Sequence, residues 1–158
     1  MADRQDSIWF SPEAAGRLAT ISGGLGEQLG IEITELKAQS IHGRMPVDER
    51  TIQPAGVLHG GASVAFAETL ASLGGHLVVD SSIYQVMGQE INANHLRPGI
   101  RGEWVYGAAS PVMIGRRSQV WSIEISNEQG KLICLSRCTL AVIEIPSRPL
   151  TESDTHAQ

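Results

Sequence analysis

Residues 59–75, HGGASVAFAETLASLGG, form a stretch of almost unbroken apolar and small residues with a single charge, at Glu68. Wound as an α-helix, this stretch is apolar on nearly every face, which predicts a helix in the core of the protein. Carboxylates are rarely buried unless a partner binds them or a reaction uses them. Packing alone therefore does not explain Glu68. A plain structural role, at a solvent boundary or in an ion pair with an arginine, is the alternative.

Alternation of apolar and polar positions predicts strands on both sides of this helix. Before it, residues Ile31–Ala38 are predicted to form a hairpin with Ser40–Met45, which Pro46 ends. The glycine of SNEQGK, residues 126–131, predicts a tight hairpin turn. The order of elements indicates an α+β fold in which one antiparallel sheet covers one long helix. The strands predicted after the helix are Tyr84–Leu96, Gly102–Ser110, Ser118–Ser126 and Lys131–Ile145.

The remaining segments carry signals of their own. Ser11 followed by Pro12 predicts the start of a short helix that runs to Ala19 and ends in the glycine-rich GGLG. The polar loop VDERTIQPAGV, residues 47–57, is long for a compact domain, which favours a functional role. The predicted organisation is an N-terminal segment with the short helix at 1–29, one α+β domain at 30–146 and a polar tail at 147–158.

Composition narrows the classes of partner. The chain has 158 residues, with 12 Lys and Arg against 17 Asp and Glu, a net charge of −5 and no basic run, which argues against nucleic acid. No apolar stretch approaches the roughly 20 residues that span a bilayer, so no membrane partner is expected. Cys134 and Cys138 would lie ~13 Å apart along a strand, too far for a disulfide. Two reduced thiols and a cytoplasmic location are therefore expected.

Three motifs taken together are more specific than any one of them. QPAGVLHGGASVAFAETLASLGG is followed by GQEINANHLRP and then by GRRSQVWSIEI. This combination resembles the hotdog-fold acyl-CoA thioesterases, and within them the 4-hydroxybenzoyl-CoA and 1,4-dihydroxy-2-naphthoyl-CoA thioesterase branch. The likeness covers residues 30–145. It implies a sheet wrapped around the long helix, two protomers joined edge to edge, and a homotetramer made of two such dimers.

The resemblance also implies catalytic roles. It assigns the amide of Gly60 as the hydrogen-bond donor to the oxyanion, and free N–H groups at a helix N-terminus do favour negative charge. It places Glu68 at the reacting thioester, as nucleophile or as general base, and the sequence leaves that choice open. His59 is implied near the leaving sulfur, although a histidine at a helix start is often only a cap. Gln53 is implied beside the thioester. Ser72, one turn after Glu68, either orients the reacting groups or bonds back to a helix carbonyl.

Binding of CoA requires groups that hold phosphate, and arginine forks suit phosphate oxygens. From the residues alone, the arginines would be ordinary surface residues. No cofactor is implied, because CoA is part of the substrate, and the five histidines show no metal-ligand spacing. The resemblance implies that the acyl-CoA site is formed by Gly88, His95, Leu96, Arg97, Pro98, Met113, Ile114, Gly115, Arg116, Arg117 and Ser118.

Several functions remain in competition. The leading hypothesis is hydrolysis of an aromatic or similarly bulky acyl-CoA to the free acid and CoA. One alternative is a thioesterase for fatty acyl chains carried on CoA or on an acyl carrier protein. Another is a CoA-ester-binding regulator without turnover. A carboxylate beside an anionic ligand would not strengthen binding, however, so Glu68 argues against a protein that only binds.

The spacing of two helix residues predicts a shared site. Gly60 and Glu68 are eight residues apart, or ~12 Å along a helix axis. An oxyanion donor and the attacking group must both lie within ~3 Å of one thioester. We therefore expect a homodimer in which one protomer supplies Gly60, His59 and Gln53 and its partner supplies Glu68 and Ser72.

Overall fold

The computed structural model describes residues 7–11 and 23–146. The helix expected after Ser11 falls on residues 12–22 and the polar tail on 147–158, both outside the described residues. In chain order the elements are α1 (Gly24–Gln28), β1 (Glu32–Leu36), β2 (Ile41–Pro46), α2 (Gly60–Leu77), β3 (Tyr84–His95), β4 (Trp104–Ile114), β5 (Ser118–Ser126) and β6 (Leu132–Glu144). Neither of the two helices described has the length and apolar character needed to cross a membrane.

The long helix and all six predicted strands are present, and the differences lie at their ends. The GGLG stretch, expected to follow the first helix, itself begins α1, with Gly23 and Gly24 at φ 100° and 67°. The predicted start of β4 at Gly102 is wrong, because Gly102 has φ 90° and lies in a turn. The predicted end at Ser110 is also wrong. The strand continues through Pro111 because a β-bulge accommodates the proline, which has no N–H to donate.

The six strands form one antiparallel sheet in the order β1-β2-β4-β5-β6-β3. This sheet packs against α2, which confirms the α+β class and the hotdog architecture. Phe66 and Leu70 of α2 and Trp121 and Ile123 of β5 are fully buried between the two layers. A Cβ at Gly74 would lie 2.8 Å from the Trp121 ring, so the small residues of α2 let the sheet approach closely.

One face of α2 is left uncovered by the sheet of its own chain. Ala65, Glu68, Thr69, Ser72 and Leu73 are only half-buried along this face. The sequence predicts a helix in the core, whereas in the single chain one face of α2 stays open, because one open sheet can cover only one side of a helix. The apolar composition of this face leaves surface available for another element or another chain.

Strand β3 forms one edge of the sheet and has twelve residues. On its outer side, no strand of the described residues pairs with it. Its central residues Met87, Gly88, Gln89 and Glu90 are exposed. A long exposed edge presents a row of free N–H and C=O groups that can pair with another strand.

Candidate active site

The loop before α2 is held by its own hydrogen bonds. The buried Thr51 donates its hydroxyl to the carbonyl of Pro46 at 2.8 Å. The N–H of His59 donates to the carbonyl of Thr51 at 2.8 Å, and the N–H of Gln53 donates to Val57 at 2.9 Å. The loop therefore holds Gln53 in a defined place beside the start of α2.

The hydrogen bonds at the start of α2 leave one amide available. His59 is the helix cap, because its Nδ1 accepts from the N–H of Gly61 at 2.8 Å. The N–H groups of Ala62 and Ser63 both donate to the carbonyl of His59, at 3.0 and 3.2 Å. Within the part of the chain that the structure describes, the Gly60 N–H has no acceptor. An unpaired amide at a helix N-terminus stabilises negative charge, as an oxyanion donor must.

A cavity of about 440 Å³ opens beside this amide. The His95 ring lies over Gly60, with its Cε1 3.0 Å from the place a Cβ would take, so a side chain at position 60 would crowd the ring. Arg97 donates from Nη1 to the carbonyl of Leu132 at 2.7 Å, which orients its guanidinium. Residues of the predicted site that line this cavity are Gln53, Gly60, His95, Leu96, Arg97 and Pro98. His59 is exposed and does not line it.

Glu68 lies in a different depression, a groove of about 330 Å³ on the uncovered face of α2. Ser72 lines the same groove, together with the apolar residues Leu25, Ala65 and Leu73. Across residues 7–11 and 23–146, no hydrogen bond or ion pair involves the Glu68 carboxylate. The alternative of an arginine partner therefore finds no support there. Among the described residues, the ion pairs that arginines make join Arg44 to Glu32, Arg50 to Asp48 and Arg101 to Glu49.

The sheet register relates the rest of the predicted site to Glu68 through Gly88. The Glu68 carboxylate fills the space that a Cβ at Gly88 would occupy. Gly88 pairs with Leu140 of β6, and Leu140 pairs with Gln119 of β5. The turn between β4 and β5 therefore lies at the Gly88 end of the sheet, two strands away. The turn and the strand ends beside it contain Met113, Ile114, Gly115, Arg116, Arg117 and Ser118.

That turn is fixed while its arginines remain exposed. The N–H of Val142 donates to the carbonyl of Arg117 at 2.9 Å, and the N–H of Gly115 donates to Ser118 at 2.9 Å. The side chains of Arg116 and Arg117 form no ion pair with a described carboxylate, and both residues are exposed. Two guanidiniums on an anchored turn are suited to holding phosphate.

One chain thus brings the predicted residues together as two groups. The Gly60 half-site contains Gln53, Gly60 and His95–Pro98, and His59 caps the start of α2 beside Gly60. The Glu68 half-site contains Glu68, Ser72, Gly88 and the turn at 113–118. The two half-sites lie toward opposite ends of β3, so a single chain does not assemble them into one site.

The cysteines are not competing nucleophiles. Both are free and buried. Burial and the nearby carboxylates of Glu68 and Glu90 raise the pKa of the Cys138 thiol to about 11. Burial also raises the pKa of Cys134. Among the described residues, no set of three or more His, Cys, Asp or Glu side chains is arranged to hold a metal ion.

The structure adds wall residues that the sequence analysis missed. Ser63 lines the Gly60 cavity, and its position three residues after Gly60 could have indicated this, because such residues share a helix face. Leu25 lines the Glu68 groove from α1, and no periodicity in the sequence links it to α2.

The chain is similar to known proteins in both sequence and structure. The profile of the Thioesterase superfamily matches residues 55–134. The proofreading thioesterase EntH of Cronobacter turicensis is 48% identical over 125 residues, 79% of this chain and 90% of that protein. The 1,4-dihydroxy-2-naphthoyl-CoA hydrolase of Escherichia coli is 45% identical over 115 residues, 73% of this chain and 83% of that protein. A crystal structure of a mutant thioesterase from Pseudomonas aeruginosa has a TM-score of 0.83 and 41% identity, covering 88% of this chain and 100% of that one.

Proposed function

Because the chain belongs to the Thioesterase superfamily and is a thioester hydrolase, we propose that its substrates are acyl-CoA thioesters with an aromatic or similarly bulky acyl group. The observation that carries the mechanism is the separation of the two half-sites. Gly60 offers a free amide in one cavity, and Glu68 offers a carboxylate in another. Thioester hydrolysis needs both groups at one carbonyl.

A homodimer with shared active sites resolves this separation. Antiparallel pairing of two β3 edges across a two-fold axis sets the Gly88 end of one strand against the His95 end of its partner. The Glu68 half-site of each protomer then faces the Gly60 half-site of the other. The exposed twelve-residue edge and the uncovered apolar face of α2 support this pairing. A homotetramer of two such dimers is part of the same proposal, and light scattering tests it.

The chemistry follows from these positions. The thioester carbonyl oxygen accepts a hydrogen bond from the Gly60 amide, which stabilises the charge that develops there during attack. Glu68 either removes a proton from the attacking water or attacks the carbonyl carbon itself, and in the second case water hydrolyses the resulting anhydride. When Glu68 acts as a base, it passes the proton of water to the departing sulfur; when it attacks, CoA leaves as the thiolate and takes a proton from water. In both routes the carbon–sulfur bond breaks and Glu68 returns to the carboxylate.

The class of substrate is inferred from the residues that line the Glu68 groove and from the exposed arginines. Leu25, Ala65 and Leu73 form an apolar wall beside Glu68 that suits a large hydrophobic acyl group. Arg116 and Arg117 supply cations for the phosphates of CoA, remote from the bond that breaks. The similarity to a 1,4-dihydroxy-2-naphthoyl-CoA hydrolase supports an aromatic acid as the product.

A hydrolysis screen tests this proposal. We expect benzoyl-CoA and larger aryl-CoA substrates to show higher kcat/KM than octanoyl-CoA or decanoyl-CoA, with release of free CoA in each turnover. Glu68→Gln is the control for a contaminating esterase. Higher kcat/KM for the aliphatic substrates would show that the assigned acyl class is wrong. Binding of acyl-CoA without any release of CoA would make the protein a binder and overturn the proposal.

A further inference from the structure

Ser63 is a buried hydroxyl residue in the wall of the Gly60 cavity. It is 2% exposed, it lies one helical turn after Gly60, and both residues line the same cavity. Its backbone N–H donates to the carbonyl of His59. For its hydroxyl, no hydrogen-bond partner is found among the residues that the structure describes.

Other hydroxyl groups in equivalent settings do have partners. Thr69, on the same helix, donates its hydroxyl back to the carbonyl of Ala65 at 2.7 Å. Ser136 is as buried as Ser63, and its hydroxyl donates to the carbonyl of Asn92 at 2.7 Å. At Ser63 the corresponding helix acceptor is the carbonyl of His59, which already accepts two backbone N–H groups. The hydroxyl of Ser63 is therefore left available to a group that enters the cavity it lines.

The position of Ser63 matches a requirement of the reaction. A carbonyl oxygen has two lone pairs and can accept two hydrogen bonds. The start of α2 offers one free amide, that of Gly60, because its neighbours are bonded to His59. Residues three apart on a helix lie on the same face, so the Ser63 side chain shares the cavity side of α2 with Gly60.

We propose that the Ser63 hydroxyl is a second hydrogen-bond donor to the thioester carbonyl oxygen, beside the Gly60 amide. This inference rests on the proposed function, because it assigns Ser63 to the same reaction. Before substrate binds, the cavity is open to solvent and the hydroxyl bonds to water. During attack, it donates to the oxygen on which negative charge develops, so its contribution is greatest in the transition state.

Two substitutions at this position separate a donor from a packing residue. Ser63→Ala removes the hydroxyl, whereas Ser63→Cys fills nearly the same space with a weak donor. We expect both to lower kcat for an aryl-CoA by about tenfold or more, with KM and Tm little changed. The matched control is Ser136→Ala, which we expect to lower Tm while kcat stays within twofold of wild type.

The outcomes distinguish this inference from the proposed function. If wild type hydrolyses acyl-CoA and Ser63→Ala keeps kcat within twofold, Ser63 is not a donor and only this inference fails. A Ser63→Cys variant with wild-type kcat beside an impaired Ser63→Ala variant shows a packing role, which also overturns it. If wild type itself releases no CoA, both proposals fail together. Loss of thioester ultraviolet absorbance follows the reaction, so the introduced thiol does not disturb the assay.

Discussion

The carboxylate of Glu68 lies against Gly88, in the space that a side chain at position 88 would occupy. A helix residue and a strand residue are thus matched in size, since the absence of a side chain on β3 makes room for a charged group from α2. No described residue hydrogen-bonds to this carboxylate, and the missing side chain at Gly88 leaves the space in which it lies. The proposed role of Glu68 therefore predicts that catalysis depends on Gly88.

Substitution of Gly88 by alanine tests this dependence. The added methyl group would displace the flexible end of the Glu68 side chain, and a displacement of about 1 Å can cost on the order of a hundredfold in rate. We expect kcat to fall by about 10- to 100-fold while Tm stays close to that of wild type. Turnover at the wild-type rate would show that catalysis does not require the Glu68 carboxylate to lie in this position.

A second strand glycine provides the matched control. At Gly107, a Cβ would lie 2.8 Å from the ring of the buried Phe66. Gly107→Ala should therefore overpack the core and lower the free energy of unfolding by about 1–3 kcal/mol. Thermal denaturation of the two variants side by side separates damage to the site from damage to the fold.

Replacing Glu68 by glutamine removes the charge and keeps the shape. We expect kcat to fall at least about a hundredfold, because a group that acts as base or nucleophile is lost. Affinity for acyl-CoA, measured by calorimetry, should change little. Near-normal turnover would make Glu68 a structural residue and refute the mechanism.

Arg116→Ala and Arg117→Ala should act on binding of the nucleotide. Loss of a charge-assisted hydrogen bond to phosphate is worth on the order of tenfold in affinity. We expect KM for acyl-CoA to rise by about that factor, with a much smaller effect on a thioester that lacks the nucleotide. Arg44→Ala is the control, because Arg44 lies on β2 near the other edge of the sheet and pairs with Glu32. Equal effects on acyl-CoA and on the thioester without the nucleotide would show that these arginines do not bind the nucleotide.

Shared active sites predict complementation between inactive variants. One variant carries Glu68→Ala, and the other carries Gln53→Ala with His59→Ala. A mixed dimer contains one site with every group intact and one site with all three groups missing. We expect the separate variants to be inactive and the mixture, unfolded and refolded together, to regain activity.

The control for this experiment is proof that mixed dimers form. Two different affinity tags, purified in sequence, isolate the heterodimer before the assay. A pure heterodimer that remains as inactive as its parents would exclude the shared site. Activity of a dilute monomer would exclude it as well.

The thiol at Cys138 should be inert in the native protein. Its pKa of about 11 leaves the reactive thiolate scarce at neutral pH, and the residue is fully buried. We expect iodoacetamide at pH 7 to leave activity unchanged and to alkylate Cys138 only after unfolding. Mass spectrometry of the native and unfolded samples measures this. Rapid native modification with loss of activity would point to a role for the thiol in the site.

The sequence alone determined the local structure. The apolar stretch at 59–75 predicts α2 because its composition leaves no polar face, and period-two alternation predicts the six strands. The position of His59 directly before the helix marks it as a candidate cap, and its Nδ1 does accept from the N–H of Gly61. These features depend on neighbours within a few residues, which is why the sequence shows them.

The tertiary structure decided how those elements combine. The strand order, with β3 at the edge beside β6, places Gly88 next to Glu68, and the sequence separation of these residues gives no sign of it. Burial of the Ser63 hydroxyl in a cavity depends on the loop at 47–57 and on the end of β3. Such contacts join residues far apart in the chain, and the packing of the sheet around α2 sets them. The local pattern of apolar and polar residues cannot predict these contacts, because the pattern is the same whichever strand lies beside the helix.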